Sequence, residues 1–291
     1  MGISKEGSQG GWLNGFIGVV LFSGSLPATR VAVLELNPVF LTVARASNAG
    51  ILAVLALLLF KEKRPSREHI IPLVIVALGV VVGFPLLTAM ALQYITSAHS
   101  IVFLGLLPLS TAIFGIIRGG ERPRPVFWVF SVAGSLLVMG YAVSQGLTAS
   151  PIGDLLMVAA IIVCGLGYAE GAKLTRILGG WQVISWALVL ALPVMLPLAF
   201  IYMPSSFEGI HGDTWVSLAY VSLFSMFIGF IFWYRGLAQG GTATVGQLQL
   251  LQPFFGLALA ATLLHEAVSI GMLAVTVGVI LCVAGTKKFA K

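Results

Sequence analysis

The chain of 291 residues is 58% hydrophobic and only 9% charged, and it carries a formal net charge of +6. Soluble globular domains place charge on about a quarter of their positions, so this composition excludes that class and indicates a polytopic membrane protein. The stretch from Ile70 to Leu92 contains no charged residue at all.

The predicted elements are membrane-spanning helices. A bilayer core about 30 Å thick needs roughly 20 apolar residues for each helical crossing. Cutting the chain where charges, glycine-proline turns or polar clusters interrupt the apolar runs predicts ten spans, at residues 12–33, 38–60, 70–92, 97–117, 126–145, 152–173, 180–203, 214–237, 242–264 and 267–285. The first span is too long for a removable signal peptide, so we expect it to be retained as an anchor.

Basic residues predict the orientation, because lysine and arginine accumulate in cytoplasmic loops. With a cytoplasmic N-terminus, 14 of the 16 lysines and arginines fall in cytoplasmic segments, and only Arg30 and Arg45 lie at the outer ends of spans one and two. This pattern predicts that both termini are cytoplasmic. The positive charge is then a topology signal, so we expect membrane lipid and no nucleic acid as a partner.

The sequence also repeats at a spacing of 145 residues. This shift places Pro108 on Pro253 and Glu121 on Glu266. Each half holds five spans, and an odd number inverts the second half relative to the first. The predicted fold is therefore all-α, with two inverted five-helix repeats, residues 1–146 and 147–291, around a central cavity. Such halves can alternate between outward-open and inward-open states; the alternative is a passive scaffold that merely records a gene duplication.

Several segments carry a family resemblance. They are "FSGSLPATRVAV" and "NPVFLTVARA", with Pro38 and Arg45, and the repeated pair that begins "ALQYITSAHSIVFLGLLPLS" and "GLAQGGTATVGQLQLLQPFF". They resemble the ten-span, EamA-type branch of the drug/metabolite transporter superfamily, and most closely its aromatic amino-acid exporters of bacterial inner membranes. The resemblance implies a basket of helices whose cavity is lined by spans one, three, four, six, eight and nine, with spans five and ten packed outside.

Spans four and six carry polar candidates. His99 lies near the outer end of span four with Phe103 one turn below, where it could bind a carboxylate or carry a proton; an interfacial histidine is the alternative. Glu170 on span six can pair with Lys173 three residues on. An embedded carboxylate suggests coupling or gating, and the alternative is a side chain that snorkels to the boundary.

Aromatic and basic side chains leave two interpretations open. Tyr168 on span six and Trp233 and Tyr234 on span eight could stack with a substrate or form a belt at the membrane interface. Arg30 and Arg45 could attract an anionic substrate group at the outer mouth, but we expect Arg30 to snorkel and Arg45 to bond to a neighbouring helix end.

Span nine holds three glutamines around a proline. Pro253 should free the carbonyl of Gln249, and Gln249 and Gln252 share a helix face, while Gln247 lies about 200° round. The matching span of the first half has valine or leucine at all three positions. The fold therefore does not need Gln247, Gln249 or Gln252, and we predict that they line the cavity rather than only bonding neighbouring helices. Pro108 and Pro253 are predicted hinges.

These features predict an inner-membrane exporter of small metabolites, chiefly amino acids with aromatic or apolar side chains. We expect a monomer or weak oligomer without enzymatic activity, metal or cofactor, because no catalytic set converges and Cys164 and Cys282 lack ligand spacing. A multidrug exporter of hydrophobic cations, a channel and an embedded enzyme are the alternatives. The few charges disfavour sugar-phosphate substrates, which would require converging lysines or arginines.

Overall fold

The computed structural model describes residues 5–95, 100, 103–144, 150–252, 254–256 and 270–289, and within these ranges the chain is helical without a strand. The α-helices are α1 Lys5–Ser23, α2 Ser25–Val33, α3 Pro38–Leu59, α4 Arg67–Val76, α5 Phe84–Tyr94, α6 Leu107–Gly119, α7 Pro125–Ser144, α8 Pro151–Leu178, α9 Gly180–Ile201, α10 Gly212–Tyr220, α11 Gly229–Gly240, α12 Thr242–Gly246 and α13 Ile270–Phe289.

Six helical segments of the described chain are long and apolar enough to cross a membrane. They cover Gln9–Val33, Pro38–Leu59, Arg67–Tyr94, Pro151–Leu178, Gly180–Ile201 and Gly212–Gly240. Each coincides within a few residues with a predicted span, because charged or turn-forming residues bound the same apolar runs. The protein is therefore a multi-pass membrane protein. Shorter apolar helices, Leu107–Gly119 and Pro125–Gly140, overlap the predicted fourth and fifth spans. The total of ten spans stays a prediction.

Local sequence signals set the helix ends. The Asn37 side chain accepts hydrogen bonds from the backbone N–H groups of Val39 and Phe40 and so caps α3, as expected for asparagine before a proline in the first turn. Gly179 and Gly241, with φ of +97° and +94°, separate α8 from α9 and α11 from α12. That backbone conformation favours glycine.

Two π-helical segments interrupt the third and eighth spans. The first, Ala77–Gly83, joins α4 to α5, and the second, Val221–Ile228, joins α10 to α11. Their first residues are 144 positions apart and their last residues 145, which is the spacing of the sequence repeat. Such π segments often occur at functional sites, and here both of them border the central cavity.

Small residues allow the first and eighth spans to pack closely. A Cβ atom added at Gly11 would lie 2.5 Å from the backbone nitrogen of Gly240, and one added at Gly236 would lie 2.5 Å from that of Gly15. Glycines four apart on both helices therefore bring the backbones together, as in many membrane helix pairs.

The helix contacts follow the same order in both halves. The first span packs along the eighth through α1 and α11, and the sixth packs along the third through α8 and α5. Helix α3 packs against α9, and α7 packs against α13. We call the two ends of this bundle the Glu35 end and the Arg118 end, each after a residue that lies there.

Candidate transport site

A cavity lies between the spans, lined by residues from both halves of the chain. Its walls are formed by Phe22, Ser25, Leu26, Thr29, Arg45, Val80, Phe84, Pro85, Thr88, Leu107, Tyr168, Ser225, Phe230 and Gln252. These residues come from the expected spans one, three, four, six, eight and nine, and in addition from span two through Arg45.

One wall of the cavity is polar and contains a buried cation. Arg45 is 5% exposed, and its Nη2 atom donates to the Ser225 hydroxyl at 3.0 Å. Ser25 Oγ also donates to Ser225 Oγ, at 2.7 Å. The Nε atom of Arg45 has no hydrogen-bond partner among the described residues, and the ion pairs of those residues do not include Arg45. A buried guanidinium with a free donor can receive an anionic group.

Another wall of the cavity is aromatic. The ring of Phe22 lies 5.1 Å from that of Phe230, and the ring of Tyr168 lies 6.0 Å from Phe230 and 5.4 Å from Trp233. All of these contacts are edge-type arrangements, the geometry that aromatic pairs favour. An apolar or aromatic group entering the cavity would therefore meet ring faces and edges on this side.

The three predicted glutamines are all buried, but they take different positions. Gln252 lines the cavity, and its Nε2 atom donates to the Phe22 carbonyl at 3.3 Å. Gln249 and Gln247 are not among the lining residues. The Gln247 amide makes only a long 3.5 Å contact to the Ala243 carbonyl of its own helix.

Gln249 lies behind the cavity wall. Its amide oxygen and nitrogen make no hydrogen bond of normal geometry among the described residues, although the Tyr168 hydroxyl interacts with it. The expected free carbonyl at Gln249 is not present, because residues Gln247–Leu251 form a 3-10 helix in which the Gln252 N–H donates to that carbonyl. The tighter i to i+3 pattern closes the gap that an α-helix would leave before a proline.

The remaining predicted residues divide between the core and the cavity. Tyr168 lines the cavity, while Trp233 and Tyr234 are fully buried behind it, so neither belongs to an interfacial belt. The Tyr234 hydroxyl donates to the Gly167 carbonyl at 3.2 Å. Phe103 is half-buried and packs against the core. His99 and Pro253 lie outside the described residues.

Pro108 is not in the middle of a helix. It is the second residue of α6 and follows a turn at residues 105 and 106. A missing N–H costs nothing in the first turn of a helix, so Pro108 begins a new helical segment instead of kinking one. The fourth span is therefore interrupted near the level of Leu107, which lines the cavity.

A buried ion pair lies at the Arg118 end of the bundle. Arg118 Nε donates to Glu170 Oε2 at 2.7 Å, and the Glu170 side chain is 1% exposed. The partner of Glu170 is thus an arginine on α6, and the expected pairing with Lys173 was wrong. Since a buried carboxylate needs a charged partner, this contact holds spans four and six together. Arg30 likewise does not snorkel, because its guanidinium donates to the Leu92 carbonyl.

Glu121 makes a second contact at this end. Its two carboxylate oxygens accept hydrogen bonds from the backbone N–H groups of Thr242 and Ala243, both at 2.7 Å. A carboxylate is favourable at the positive end of a helix, and here it caps α12 at the start of span nine. Arg176 Nη2 lies 3.5 Å from Glu121. Spans four, six and nine therefore meet at the Arg118 end.

A separate group of hydrogen bonds lies at the Glu35 end. The Glu35 carboxylate accepts from the Thr214 hydroxyl at 2.6 Å, from the His211 backbone N–H at 3.0 Å, and from the His211 ring. The Thr214 bond and then the His211 bonds lower the pKa of Glu35 to about 2. The bond to Glu35 in turn raises the pKa of His211, and Asp213 adds a weaker electrostatic contribution in the same direction.

The cavity contains little open space. The water-accessible volume of the cavity is about 30 Å³, and a single water needs roughly 10–15 Å³ of such volume. Side chains must therefore move apart before a metabolite can enter.

No group of three or more metal-binding side chains occurs in the described part of the chain.

Comparison with known proteins identifies the family. The sequence model of the EamA-like transporter family matches this chain twice, at residues 9–142 and 151–286. The chain belongs to the EamA-like transporter family. The protein is accordingly a membrane transporter.

Relatives of the EamA-like chain agree with this membership. It is 66% identical to the "Uncharacterized transporter YdeK" of Bacillus subtilis (strain 168) over 281 residues, which cover 97% of this chain and 98% of that protein. It is 23% identical over 252 residues to an "Uncharacterized transporter" of Archaeoglobus fulgidus, covering 85% of this chain and 87% of that protein. A crystal structure with 18% sequence identity has the same fold, with a TM-score of 0.78 over 95% of this chain and 97% of its own.

Arg45 is the main residue of this EamA-like cavity that the sequence interpretation did not put among the cavity residues. We favoured a bond to a neighbouring helix end; the guanidinium does bond to Ser225 of a neighbouring helical segment, and it also lies in the cavity wall. The available signal was its position within an apolar span, where a charged residue is functional by default.

The Glu35 end should respond to pH. The Glu35 contribution to the free energy of unfolding is present above the ordinary carboxyl value of 4.5 and is lost as pH falls through about 2. The His211 contribution to the free energy of unfolding is present below pH 6.5, the ordinary pKa of histidine, and is lost as pH rises through the raised pKa of His211. We expect the melting temperature in detergent to decrease above neutral pH, and His211→Gln to remove part of that decrease.

His69→Gln provides the matched control, because His69 lies at the opposite end of the bundle, beside Glu68. This variant should keep the alkaline decrease of the wild type. An identical pH profile for the wild type and His211→Gln would show that the Glu35–His211 contact does not stabilise the fold.

Proposed function

We propose that the protein exports small metabolites, chiefly amino acids with aromatic or apolar side chains, across a bacterial inner membrane by alternating access. The observation that carries this proposal is that a buried guanidinium, Arg45, and several aromatic side chains line one cavity. The two walls match the two parts of such an amino acid, a carboxylate and an apolar side chain.

Arg45 is the proposed partner of the substrate carboxylate. A guanidinium binds a carboxylate through two parallel hydrogen bonds. The Nε atom of Arg45 is without a partner within the described residues. Ser25 and Ser225 surround the guanidinium, so the pair would be supported by neutral polar groups. The low dielectric of the closed cavity strengthens such a charged contact.

The aromatic wall is the proposed partner of the substrate side chain. Phe22, Tyr168 and Phe230 offer ring surfaces for stacking. The same rings can interact with an ammonium group through their faces, and the Thr29 and Thr88 hydroxyls in the lining offer oxygen acceptors. An amino acid would therefore find a contact for each of its groups.

The lining disfavours export of hydrophobic cations, the rival function. A transported cation in a membrane interior calls for a carboxylate partner, whereas the lining of this cavity has an arginine and no carboxylate. The buried carboxylate of Glu170 is already paired with Arg118. A channel is disfavoured by the small open volume of the cavity, about 30 Å³.

Pairs of equivalent positions around the cavity support the inverted repeat. Leu107 and Gln252, Val80 and Ser225, and Pro85 and Phe230 are each 145 residues apart, and all six residues line the cavity. The double family match and the paired π segments agree with this spacing. We therefore propose ten spans in two inverted halves, residues 1–146 and 147–291, with the Arg118 end and both termini cytoplasmic.

Alternating access then requires the two ends to open in turn. Opening toward the cytoplasm would separate Arg118 from Glu170, which gives Glu170 the gating role considered from the sequence. Opening outward would separate Glu35 from His211 and Thr214. The interruption before Pro108 lies on span four between these two ends and is the proposed hinge.

Transport in liposomes tests the substrate and the role of Arg45 together. Liposomes with the purified protein should move labelled phenylalanine, tryptophan or leucine faster than empty liposomes. Arg45→Gln should raise the half-saturating concentration about tenfold or more, since a hydrogen bond to a charged group contributes roughly 1.5–3 kcal/mol and 1.4 kcal/mol is tenfold. Phenylalanine methyl ester, which lacks the carboxylate, should compete poorly with the wild type and relatively better with the variant.

Arg67→Gln is the control, because Arg67 is exposed at the Arg118 end. If no member of a broad amino-acid panel crosses faster than in empty liposomes, with or without a pH gradient, the amino-acid proposal is wrong. Stronger competition by the ester than by free phenylalanine in the wild type would favour the hydrophobic-cation exporter.

Gln252→Leu tests whether the cavity glutamine contacts the substrate. The variant resembles the first half of the chain, which has Leu107 at the equivalent position. We expect transport to fall about two- to tenfold, matching one neutral hydrogen bond of roughly 0.5–1.5 kcal/mol, with the melting temperature nearly unchanged. Gln93→Leu, at an exposed position, is the control. Lower stability with unchanged specific activity would assign Gln252 to helix packing instead.

A further inference from the structure

A second pocket lies outside the central cavity, at the Arg118 end. It is formed where α8 ends, α9 begins and α11 ends, and its water-accessible volume is about 540 Å³. Its lining includes Arg176, Trp181, Gln182, Ile231, Arg235 and Gln239. We refer to these six residues as the basic pocket.

Two guanidinium groups give the basic pocket its charge. Arg176 is partly neutralised by Glu121 at 3.5 Å. Arg235 is exposed and takes no part in the ion pairs of the described residues. The Gln239 amide N–H group adds a further donor, whereas the Nε2 atom of Gln182 donates to the Glu62 carboxylate at 3.5 Å. The pocket therefore offers a net positive site with several hydrogen-bond donors.

An apolar groove continues directly from the basic pocket. It is lined by Ala56, Phe60, Trp181, Phe227 and Ile231 and has a water-accessible volume of about 320 Å³. Trp181 and Ile231 belong to both spaces, and the ring of Phe60 lies 5.5 Å from that of Trp181. A single molecule with a charged head and an apolar tail could therefore occupy both.

We propose that the basic pocket and this groove together bind one anionic phospholipid, its phosphate between Arg176 and Arg235 and one acyl chain along the groove. The charge of the pocket complements a phosphodiester, and a pocket of several hundred Å³ is the usual size for a bound small ligand. A free inorganic anion would use the arginines but leave the groove empty. Anionic lipid head groups bind basic pockets between membrane helices in this way.

The position of the site links the lipid to the transport helices. The pocket joins α8, which carries Tyr168 and Glu170, to α11, which carries Phe230. The two elements already approach closely, because a Cβ atom added at Gly180 would lie 3.0 Å from the Ile231 carbonyl oxygen and 3.1 Å from the Arg235 nitrogen. A lipid held here would stabilise the packing of spans six, seven and eight.

Native mass spectrometry of the full-length protein tests this proposal. Protein in detergent is titrated with phosphatidylglycerol, with phosphatidylcholine, and with inorganic phosphate as a competitor. We expect selective retention of phosphatidylglycerol, and Arg235→Gln should weaken its apparent affinity about fivefold, the effect of one basic residue near an anionic lipid. Arg176→Gln/Arg235→Gln should weaken it further, and millimolar phosphate should not displace the lipid.

Three further variants keep the proposal falsifiable. Arg64→Gln, exposed at the same end, should bind phosphatidylglycerol like the wild type. Arg235→Lys keeps the charge and should retain most of the affinity even if Arg235→Gln folds poorly. Phe227→Ala should weaken lipid binding if an acyl chain occupies the groove. Equal retention of phosphatidylglycerol by the wild type and the double variant would overturn the proposal, as would its displacement by inorganic phosphate.

Discussion

A guanidinium buried within a membrane bundle has to be surrounded by polar groups, and Arg45 imposes that constraint on this protein. Burying a charge at that depth without polar neighbours costs several kcal/mol. Ser225 contributes a hydroxyl from the π segment Val221–Ile228, and Ser25 contributes another from α2. Three spans therefore converge on one cation, and the cavity forms around the group that is most expensive to bury.

The two halves contribute different chemistry to this cavity. Where the first half has Val80 and Leu107, the second half has Ser225 and Gln252. Arg45 is equally one-sided, because the spacing of 145 residues places Leu190 at the matching position. The repeated framework thus supplies helices, breaks and close packing. The polar groups come from substitutions that occur in one half alone, so the site can be asymmetric although the two halves have a similar fold.

Sequence reasoning predicted the helices better than their contacts. The long charge-free runs predicted six spans within a few residues, because hydrocarbon excludes charged side chains over a fixed length. The π segments at Ala77–Gly83 and Val221–Ile228 gave no signal, since their residues are as apolar as their neighbours. Glu170 pairs with Arg118, 52 positions away, rather than with Lys173. Pattern rules find partners three or four residues apart, whereas this pairing depends on how spans four and six pack.

The most direct test of alternating access is a reversible crosslink at the Glu35 end. Glu35→Cys and Thr214→Cys would place two thiols where a carboxylate now meets a hydroxyl at 2.6 Å, in a background with Cys164 and Cys282 replaced by serine. A short bifunctional thiol reagent should arrest transport by the double-cysteine variant in liposomes, and reductant should restore it. Transport by each single-cysteine variant should be unaffected by the reagent. Full transport with the crosslink in place would contradict alternating access through this end.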